Sequence, residues 1–502
     1  MLTRWELAKL YHLLTRDTYA SAIWLTIFFT IVSALLPSNK LFFVVATAYL
    51  LGLVWITQSI YKALLLAFFP FMMMNIGQVY ITTAIAANKL SHLSNSEGRD
   101  LYFRFSPFFV LLITSIALFV LELFRRKGKV SFSISQVSLL LSILMSLIAV
   151  FFTKQFPTYS FTIVLGAIGM VSFVFLMQLL LTEASKEIQL KLLKTFLGVL
   201  IVMTLVDVAV GFGQFFTHST LHLRIEQSTV IPTFGTGADE DSSQFRPIGL
   251  HTHANEFANA LITTLFSVLF LIELLRAKKS VFPEKFELWI SLPILIMILL
   301  TQSRASYLAL GLAGILFFVR QKELALDLLN QLKQLMRPYK LLFVIAALFF
   351  IPLVTRRLIY TVYSFGSGGG ITTRVELEKV AYLLIQKDYL WGVGPGMFIP
   401  AAFKESPNGV MKYFPESVHN GFLLYLTENG IFASFFLITF LLFFLKQVEK
   451  VFPKTITTIF LAGLLALCCM MYFHPFQNIP SIFIFVVWIG MYGFQKKQHD
   501  ER

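Results

Sequence analysis

Charged residues are scarce in this chain of 502 residues. Asp, Glu, Lys and Arg together make up 14% of it, whereas hydrophobic residues make up 57% and Phe alone contributes 54 residues. So few polar groups cannot cover the apolar surface of a soluble fold, which excludes an ordinary water-soluble domain. The apolar residues instead form long runs, and about 20 such residues are what a membrane-spanning helix needs.

Cysteine is almost absent. Cys468 and Cys469 are adjacent and lie inside an apolar run. This excludes a disulfide framework and a cysteine-based zinc site, so we interpret both residues as small apolar fillers of a span. The first residues, Met1 to Arg16, are amphipathic and charged without a cleavage-site pattern. We therefore expect no removed signal peptide.

The apolar runs predict an all-α, polytopic transmembrane protein with about 12 to 14 spans and a long outer loop between two late spans. The ninth and tenth runs are short, and a re-entrant pair there would leave the sidedness unchanged. The fourteen predicted spans are 21–36, 41–57, 62–86, 105–124, 133–152, 159–181, 195–215, 255–275, 288–302, 305–319, 341–355, 420–445, 456–473 and 479–494.

The formal net charge is +14. In a soluble protein this would suggest nucleic acid, but here most basic residues fall in alternate segments between spans, as cytoplasmic segments of membrane proteins do. We therefore expect no nucleic-acid partner, a multi-pass protein of the cytoplasmic (inner) membrane, and both termini in the cytoplasm. The long segments 216–254 and 356–419 then lie on the outer side.

The spans divide the chain into three predicted parts. Residues 1–194 are N-terminal transmembrane helices, and residues 195–445 are a catalytic core that includes the outer loop 356–419. Residues 446–502 are C-terminal transmembrane helices and a cytoplasmic tail. The outer loop is the longest polar stretch of the chain. Loops of this length are uncommon unless they are functional or disordered, so we interpret it as the roof of an active site.

Four short polar clusters lie on the outer side of this topology. They are centred on Arg246 with Asn255, on Arg304 at the tip between two short spans, on Arg374, and on His419 with Asn420. Arginine is suited to bidentate phosphate recognition. A neutral histidine can act as a general base near pH 7. The clusters together predict a site that holds a phosphate-bearing donor and deprotonates an acceptor.

Two glycine-rich segments accompany these clusters, 366–370 and 392–396. Glycine turns expose backbone N–H groups, so we expect these groups to face phosphate too. More ordinary interpretations remain open: Arg304 as a snorkelling residue and His419 as a helix-start residue. His251 and His253 are spaced like a metal pair but lack further ligands, which favours a structural or pocket-lining role.

Four motifs in this order resemble the core of the O-antigen ligase and O-antigen polymerase superfamily. An arginine and a glycine precede an asparagine that opens a span, a Ser-Arg hairpin follows, and a third arginine precedes Gly-Val-Gly-Pro-Gly-Met-Phe. Finally, His-Asn opens a span that continues with Glu-Asn-Gly. The segments are Arg246–Asn255, Leu300–Tyr307, Arg374–Phe398 and His419–Gly430, and the resemblance covers roughly residues 200–445.

The resemblance implies a role for each motif residue. Arg246, Arg304 and Arg374 would bind the diphosphate of a polyprenyl-linked glycan, with Asn255 and Asn420 also contacting substrate. His419 would activate a hydroxyl of a saccharide or lipid-anchored acceptor, without a cofactor or a metal. Membrane lipid would surround the site. The family usually has proline before the asparagine of the first motif; this chain has His253 and Ala254 there, which leaves the role of His253 open.

The leading hypothesis is an inverting membrane glycosyltransferase, and the shared motifs do not separate a polymerase from a ligase. A polyprenyl-phosphate-sugar transferase is disfavoured, because its acidic first outer loop is missing from residues 37–40. A transporter or flippase of lipid-linked glycans is the alternative. It would carry charge along its spans. Asp207 is the main candidate at mid-span, with Glu122 and Glu273 nearer the inner ends, and these are too few for a charged pathway. The sequence also lacks the internal repeat of many transporters.

Overall fold

A computed structural model describes most of the chain. The described residues are 18–36, 39–73, 79–81, 103–127, 132–153, 157–221, 223, 246–251, 253–280, 282–283, 286–323, 370–413, 416–475 and 478–499, with scattered residues between 326 and 359. Met1 to Arg16, most of the segment 216–245, the glycines 366–369 and most of the predicted span 341–355 lie outside them.

The described chain is almost entirely helical, which confirms the all-α, polytopic fold. Its helices are α1 (Thr18–Leu35), α2 (Asn39–Thr57), α3 (Ile60–Met73), α4 (Pro107–Arg125), α5 (Ile134–Phe152), α6 (Pro157–Glu183), α7 (Lys186–Thr217), α8 (Ala254–Ala277), α9 (Phe286–Leu300), α10 (Arg304–Arg320), α11 (Gly370–Lys387), α12 (Phe398–Glu405), α13 (Val410–Tyr413), α14 (Gly421–Val451), α15 (Lys454–Phe473) and α16 (Asn478–His499). A short 3₁₀ turn covers Arg337–Tyr339.

Seven of the described helices, α4 to α8, α14 and α15, are long and apolar enough to cross a membrane. Five more apolar helical stretches of 10–17 residues lie in α1, α2, α3, α9 and α16. These helices coincide with predicted spans, so the protein crosses the membrane several times; the total of 12 to 14 spans stays a prediction. The predicted domain boundaries after residues 194 and 445 fall inside α7 and α14.

The third predicted span, 62–86, is wrong in its second half. Helix α3 ends at Met73, and Val79–Ile81 forms a strand that pairs antiparallel with Phe103–Phe105. β-Branched and aromatic side chains favour a strand. The apolar run therefore continues beyond the helix, and hydropathy alone does not distinguish its two parts.

Helix α8 is the centre of the bundle. In its most apolar window 89% of the residues are buried, and it packs against α7, α9, α10, α15 and α16. Two of its hydroxyl side chains bond within the helix: Thr263 and Ser267 donate to the carbonyls of Asn259 and Thr263 at 2.8 and 2.7 Å. A hydroxyl that bonds four residues back needs no outside partner, so it can lie in an apolar interior.

Aromatic rings fill the neighbouring core. Phe68 of α3 stacks on Phe173 of α6 at 4.8 Å between ring centroids, and it also meets Phe485 of α16 at 4.4 Å. Offset aromatic pairs of this kind stabilise a contact by about 0.5–1.5 kcal/mol beyond their buried area. They join the N-terminal and C-terminal helices into one bundle, in which α16 also packs against α8.

The segment 356–419, predicted as an outer loop, is a folded unit over its described part. We call residues 370–418 the cap. Helices α11, α12 and α13 enclose a small apolar core of their own that also contacts the start of α14. The core consists of Leu377, Val380, Ala381, Leu384, Phe398, Ile399, Ala402, Met411, Val418, Leu423 and Leu424.

Candidate active site

Residues 246–251, here called the 246–251 loop, are fixed by two buried side chains of α7. The Gln214 carboxamide oxygen accepts from the N–H groups of Ile248 and Gly249, and its nitrogen donates to the Gly249 carbonyl at 2.9 Å. Asp207 accepts from the Leu250 N–H at 2.8 Å. These bonds satisfy loop backbone that would be expensive to leave unpaired near an apolar bundle.

Asp207 also contacts a histidine. Its second carboxylate oxygen lies 3.0 Å from Nε2 of His251. Burial lowers the pKa of His251, but the Asp207 carboxylate outweighs that effect, so the pKa of His251 is raised overall. Asp207 therefore anchors the loop, and His251 has the structural role that the sequence favoured.

Arg246 is held in one orientation by the bundle. Its Nε donates to the Thr301 carbonyl at 2.8 Å, and one terminal nitrogen donates to the Asn255 side-chain oxygen at 2.8 Å. The residue is 6% exposed. Asn255, predicted to bind substrate, thus positions Arg246, and the Thr301 contact places Arg246 beside the tip that carries Arg304.

Arg304 is the first residue of α10. The side chain of Ser303 before it is buried but makes no capping hydrogen bond to the helix. A cation at the positive end of a helix dipole is unfavourable by roughly 0.3–1 kcal/mol at exposed sites. An uncapped helix start also offers N–H groups to an anion. Both features favour negative ligand charge at this tip.

The glycine segment 392–396 binds the break in α14. Helix α14 is interrupted at Gly430, whose φ is 72° and ψ is −178°. Val393 and Gly394 donate their N–H groups to the carbonyls of Thr427 and Glu428 at 2.9 and 3.0 Å. The break leaves helix carbonyls without their usual donors from α14, and backbone N–H groups of the cap donate to them instead.

The expectation that the glycine amides at 392–396 face phosphate is therefore wrong. Gly392 donates to the Asp388 carbonyl at 2.8 Å. The buried Glu428 carboxylate accepts from the backbone N–H groups of Gly396 and Phe398. These amides hold the cap on the bundle and leave anion recognition to side chains.

Two glycines of this contact are sterically required. A Cβ at Gly394, where φ is +107°, would lie 2.1 Å from the Thr153 hydroxyl at the end of α5. A Cβ at Gly430 would lie 2.2 Å from the Leu390 carbonyl oxygen. Trp391 also stacks on Phe152 at 5.2 Å between ring centroids. The cap is thus seated against both α5 and α14.

Arg374 projects from α11, the first helix of the cap. One face of α11 packs into the cap core through Leu377 and Ala381, which are both fully buried. Burial lowers the pKa of Arg374, against the opposing effects of the Glu416 and Glu378 carboxylates. The position of Arg374 depends on apolar packing, unlike that of Arg246.

His419 and Asn420 connect the cap to α14. The Asn420 side-chain oxygen accepts from the Leu423 N–H at 3.1 Å and caps the helix. His419 Nε2 lies 3.6 Å from a carboxylate oxygen of Glu416, whose side chain is mostly exposed. The structure thus gives Asn420 a capping role beside its predicted contact with substrate.

The predicted residues converge. Burial, then the charges of Arg374 and His253, lower the pKa of His419 to about 4. Burial, then Arg246 and Arg374, lower the pKa of His253 to about 4. These effects require proximity, so the loop, the cap and the start of α14 meet. His474 joins them, because its ring centroid lies 6.5 Å from that of His419. We call Arg246, His253, Arg374, His419 and His474 the basic cluster.

His253 has a defined role within this cluster. Its Nδ1 accepts the Asn255 N–H at 3.0 Å and caps α8. A nitrogen that accepts carries no proton, so the neutral ring holds its proton on Nε2. Protonation of Nδ1 would remove the cap, which agrees with the low pKa of His253. The structure thus gives His253, whose role the sequence left open, a capping function at the start of α8.

The arrangement can hold an anion and accept a proton. Two arginines are fixed beside imidazoles that stay neutral near pH 7. Among the described residues, no group of three or more His, Cys, Asp or Glu side chains is arranged to hold a metal ion. The sequence predicted Arg246, Arg374 and His419 as site residues, and the structure brings these three together. Sequence reasoning missed His474 and the anchoring role of Gln214, and it treated Asp207 as a possible transport residue.

The fold and site define a polytopic membrane protein with a basic site under a helical cap. Residues 289–438, about 30% of the chain, match the family model described as O-antigen ligase. This match confirms the resemblance to the O-antigen ligase and polymerase superfamily, and it indicates a ligase- or polymerase-type enzyme of polysaccharide biosynthesis. The matched region contains Arg304, Arg374, His419 and Asn420. No curated protein was found to match the chain.

Proposed function

We propose that this protein is an inverting, metal-independent glycosyltransferase. It transfers a polyprenyl-diphosphate-linked glycan to a saccharide or lipid-anchored acceptor at the outer face of the cytoplasmic membrane. The observation that carries the proposal is the convergence of Arg246, Arg374 and His419 at one end of the bundle, with Arg304 at the adjacent tip. Lipid-linked glycans are also the substrates that the family match implies.

The charges of the site suit a diphosphate leaving group. Arg246 and Arg374 contribute fixed positive charge from two different structural units, and the uncapped start of α10 adds Arg304. Preorganised donors of this kind stabilise charge as it develops in the transition state. The Glu416 carboxylate, 3.6 Å from His419, is largely exposed and so competes little with the diphosphate.

The proposed reaction is a single displacement. His419 accepts the proton of the acceptor hydroxyl as its oxygen attacks the anomeric carbon. The bond from that carbon to the diphosphate oxygen breaks, and the diphosphate leaves with the electron pair, bound by Arg246, Arg304 and Arg374. Attack from the face opposite the leaving group inverts the anomeric configuration. The proton then leaves His419 to solvent.

The contacts of the three span carboxylates also disfavour the transporter alternative. Asp207 accepts from the Leu250 N–H and contacts His251. Glu122 accepts from Tyr61 at 2.8 Å, and Glu273 pairs with Arg276 at 2.6 Å. All three carboxylates thus have local partners instead of forming a charged path. We retain the proposed sidedness, with both termini in the cytoplasm, on the positive-inside argument.

Replacement of the arginines tests the diphosphate site. We expect Arg304→Ala and Arg374→Ala to lose most transfer of lipid-linked glycan in a deletion strain, measured by gel analysis of surface polysaccharide. A charge-assisted contact is worth roughly 1.5–3 kcal/mol. Lysine should not restore full transfer, because it lacks the planar fork. Near-normal glycan from both alanine variants would contradict the proposed function.

The same strain separates the two versions of the reaction. Loss of long chains with single repeat units still attached to the anchor would indicate a polymerase. Loss of all attached glycan would indicate a ligase. Reporter fusions at Lys127 and Gly409 test the sidedness, and a cytoplasmic signal from the Gly409 fusion would contradict an outer active site.

A further inference from the structure

His474 lies in the basic cluster although it is outside both the four motifs and the matched region. It follows the last residue of α15 in an extended conformation and is 4% exposed. Its ring centroid is 6.5 Å from that of His419, and the two rings are inclined at 59°. The end of α15 therefore places a second imidazole beside the proposed base.

A glycine makes this approach possible. A Cβ on Gly421, the residue that follows His419 and Asn420, would lie 3.2 Å from the carbonyl oxygens of both His474 and Met471. Backbone atoms cannot move aside as a flexible side chain can. The first turn of α14 thus packs directly on the end of α15, which sets the separation of the two histidines.

The electrostatics of His474 agree with this placement. Burial, followed by the charges of Arg374, His419, His253 and Arg246, keeps the pKa of His474 well below its usual value. His474 is therefore neutral near pH 7. A neutral imidazole offers one donor and one acceptor to a hydroxyl group.

We propose that His474 is an acceptor-binding residue, whose imidazole and that of His419 flank the attacking hydroxyl of the acceptor glycan. Rings with centroids 6.5 Å apart leave room for one oxygen hydrogen-bonded to both, at about 2.8 Å from each nitrogen. His419 takes the proton, and His474 holds the hydroxyl in line for attack. This assignment rests on the proposed function and names the group that orients its acceptor.

Two substitutions separate hydrogen bonding from packing. His474→Phe keeps a ring of similar size without a hydrogen bond, whereas His474→Gln keeps hydrogen bonding without the ring. We expect His474→Phe to lower transfer about tenfold, as the loss of one such bond implies, and His474→Gln to keep most of it. His419→Gln should fail, because glutamine does not accept the proton.

The assay uses purified protein and the lipid-linked glycan that accumulates in membranes of the deletion strain. Farnesyl diphosphate serves as a separate probe of diphosphate binding, and neither His474 variant should change its affinity more than about twofold. His218→Ala, at the end of α7, is the matched control and should transfer normally.

Three results would overturn the proposal. They are normal transfer by His474→Phe, a loss by His474→Gln as large as that by His474→Phe, and a loss of farnesyl diphosphate binding that parallels the loss of transfer. Failure of the proposed function is distinguishable, because Arg304→Ala and Arg374→Ala would then transfer normally whatever the His474 variants do.

Discussion

The 246–251 loop and the cap each carry an arginine to the same site, but different forces hold them. The loop is bonded by Gln214 and Asp207, two buried polar residues of α7. The cap carries Arg374 on a helix that packs into a separate apolar core and is bonded to the bundle at the break in α14. The loop is thus held by a few hydrogen bonds to buried polar side chains. The cap is a folded unit that joins the bundle where residues 392–396 contact the break in α14, and we call this contact the seam.

The difference predicts how each support fails. Hydrogen bonds to a rigid helix fix a loop to a fraction of an ångström, and removal of one partner leaves a buried group unsatisfied. A small packed unit joined along one seam can separate as a unit while its own core survives. Changes in the loop anchor should therefore displace one arginine, whereas changes in the seam should displace Arg374 and the start of α14 together.

The largest effect is expected at His419, where the two supports meet. General-base catalysis contributes about 10² to 10⁴ in rate, so His419→Gln should lose transfer by that factor. Binding of farnesyl diphosphate should survive, because it depends on the arginines. Transfer rates of purified variants and the affinity for the probe measure the two effects separately. A His419→Gln enzyme with near wild-type turnover would leave His419 as a residue of the helix start.

The next effect tests the seam. A side chain at Gly430 would meet the Leu390 carbonyl at 2.2 Å, and the positive φ of 72° adds strain. Together with its ψ of −178°, this backbone conformation is essentially restricted to glycine, and it costs another residue about 1–3 kcal/mol. We expect Gly430→Ala to reduce transfer at least about tenfold and to raise proteolysis of the cap, measured by limited digestion in detergent.

Gly311→Ala is the matched control for the seam. A Cβ at Gly311 in α10 meets nothing within 4 Å. Alanine there should stabilise the helix by up to about 1 kcal/mol. If both variants transfer normally and resist digestion equally, the seam does not position Arg374.

A smaller effect is expected at the loop anchor. Asp207→Ala leaves the Leu250 N–H without its buried acceptor, which costs about 1–3 kcal/mol. We expect a loss of transfer of about tenfold, measured with the purified protein, because the loop that carries Arg246 loses one of its anchors. Asp207→Asn keeps an acceptor and should lose less.

Glu273→Gln is the control for the anchor, since it breaks a helix ion pair with Arg276 outside the site. Melting temperatures of the three variants in detergent separate a local displacement from unfolding. Equal transfer by Asp207→Ala and Glu273→Gln would show that Arg246 does not depend on this anchor.

The two supports differ in how far the sequence predicted them. Apolar runs report directly on membrane helices, so α5, α8 and α15 were predicted within a few residues. The motif arginines and His419 followed from residue type and order. The cap was taken for a loop, because α12 and α13 have only eight and four residues and their core combines distant segments.

Two further residues show why the rest of the site could not be read from the sequence. Asp207 resembled a transport residue, because its partners Leu250 and His251 lie on another element and only the fold brings them together. His474 resembled an ordinary residue after a span, and its proximity to His419 depends on the packing of α14 against α15. Both positions follow from tertiary contacts, which no local pattern records.

The smallest effect is expected from pH: kcat/KM should change little on acidification. This tests whether the loop and the cap together keep His419 neutral. Burial and the charges of Arg374 and His253 lower the pKa of His419 to about 4. Because kcat/KM reports the free enzyme, it should change little between about pH 7 and about pH 5.5, whereas an ordinary imidazole would lose about tenfold. Bound diphosphate brings negative charge that raises the pKa of His419, so the acid limb of kcat should lie at higher pH than that of kcat/KM.

The free energy of unfolding should also fall as the pH decreases from about 6.5 towards 4. In this range the histidines of the unfolded chain bind protons, whereas the buried histidines of the folded protein stay neutral. Melting temperatures at each pH correct the rates for this loss, and a tenfold fall of corrected kcat/KM by about pH 5.5 would contradict a base held between Arg374 and His253.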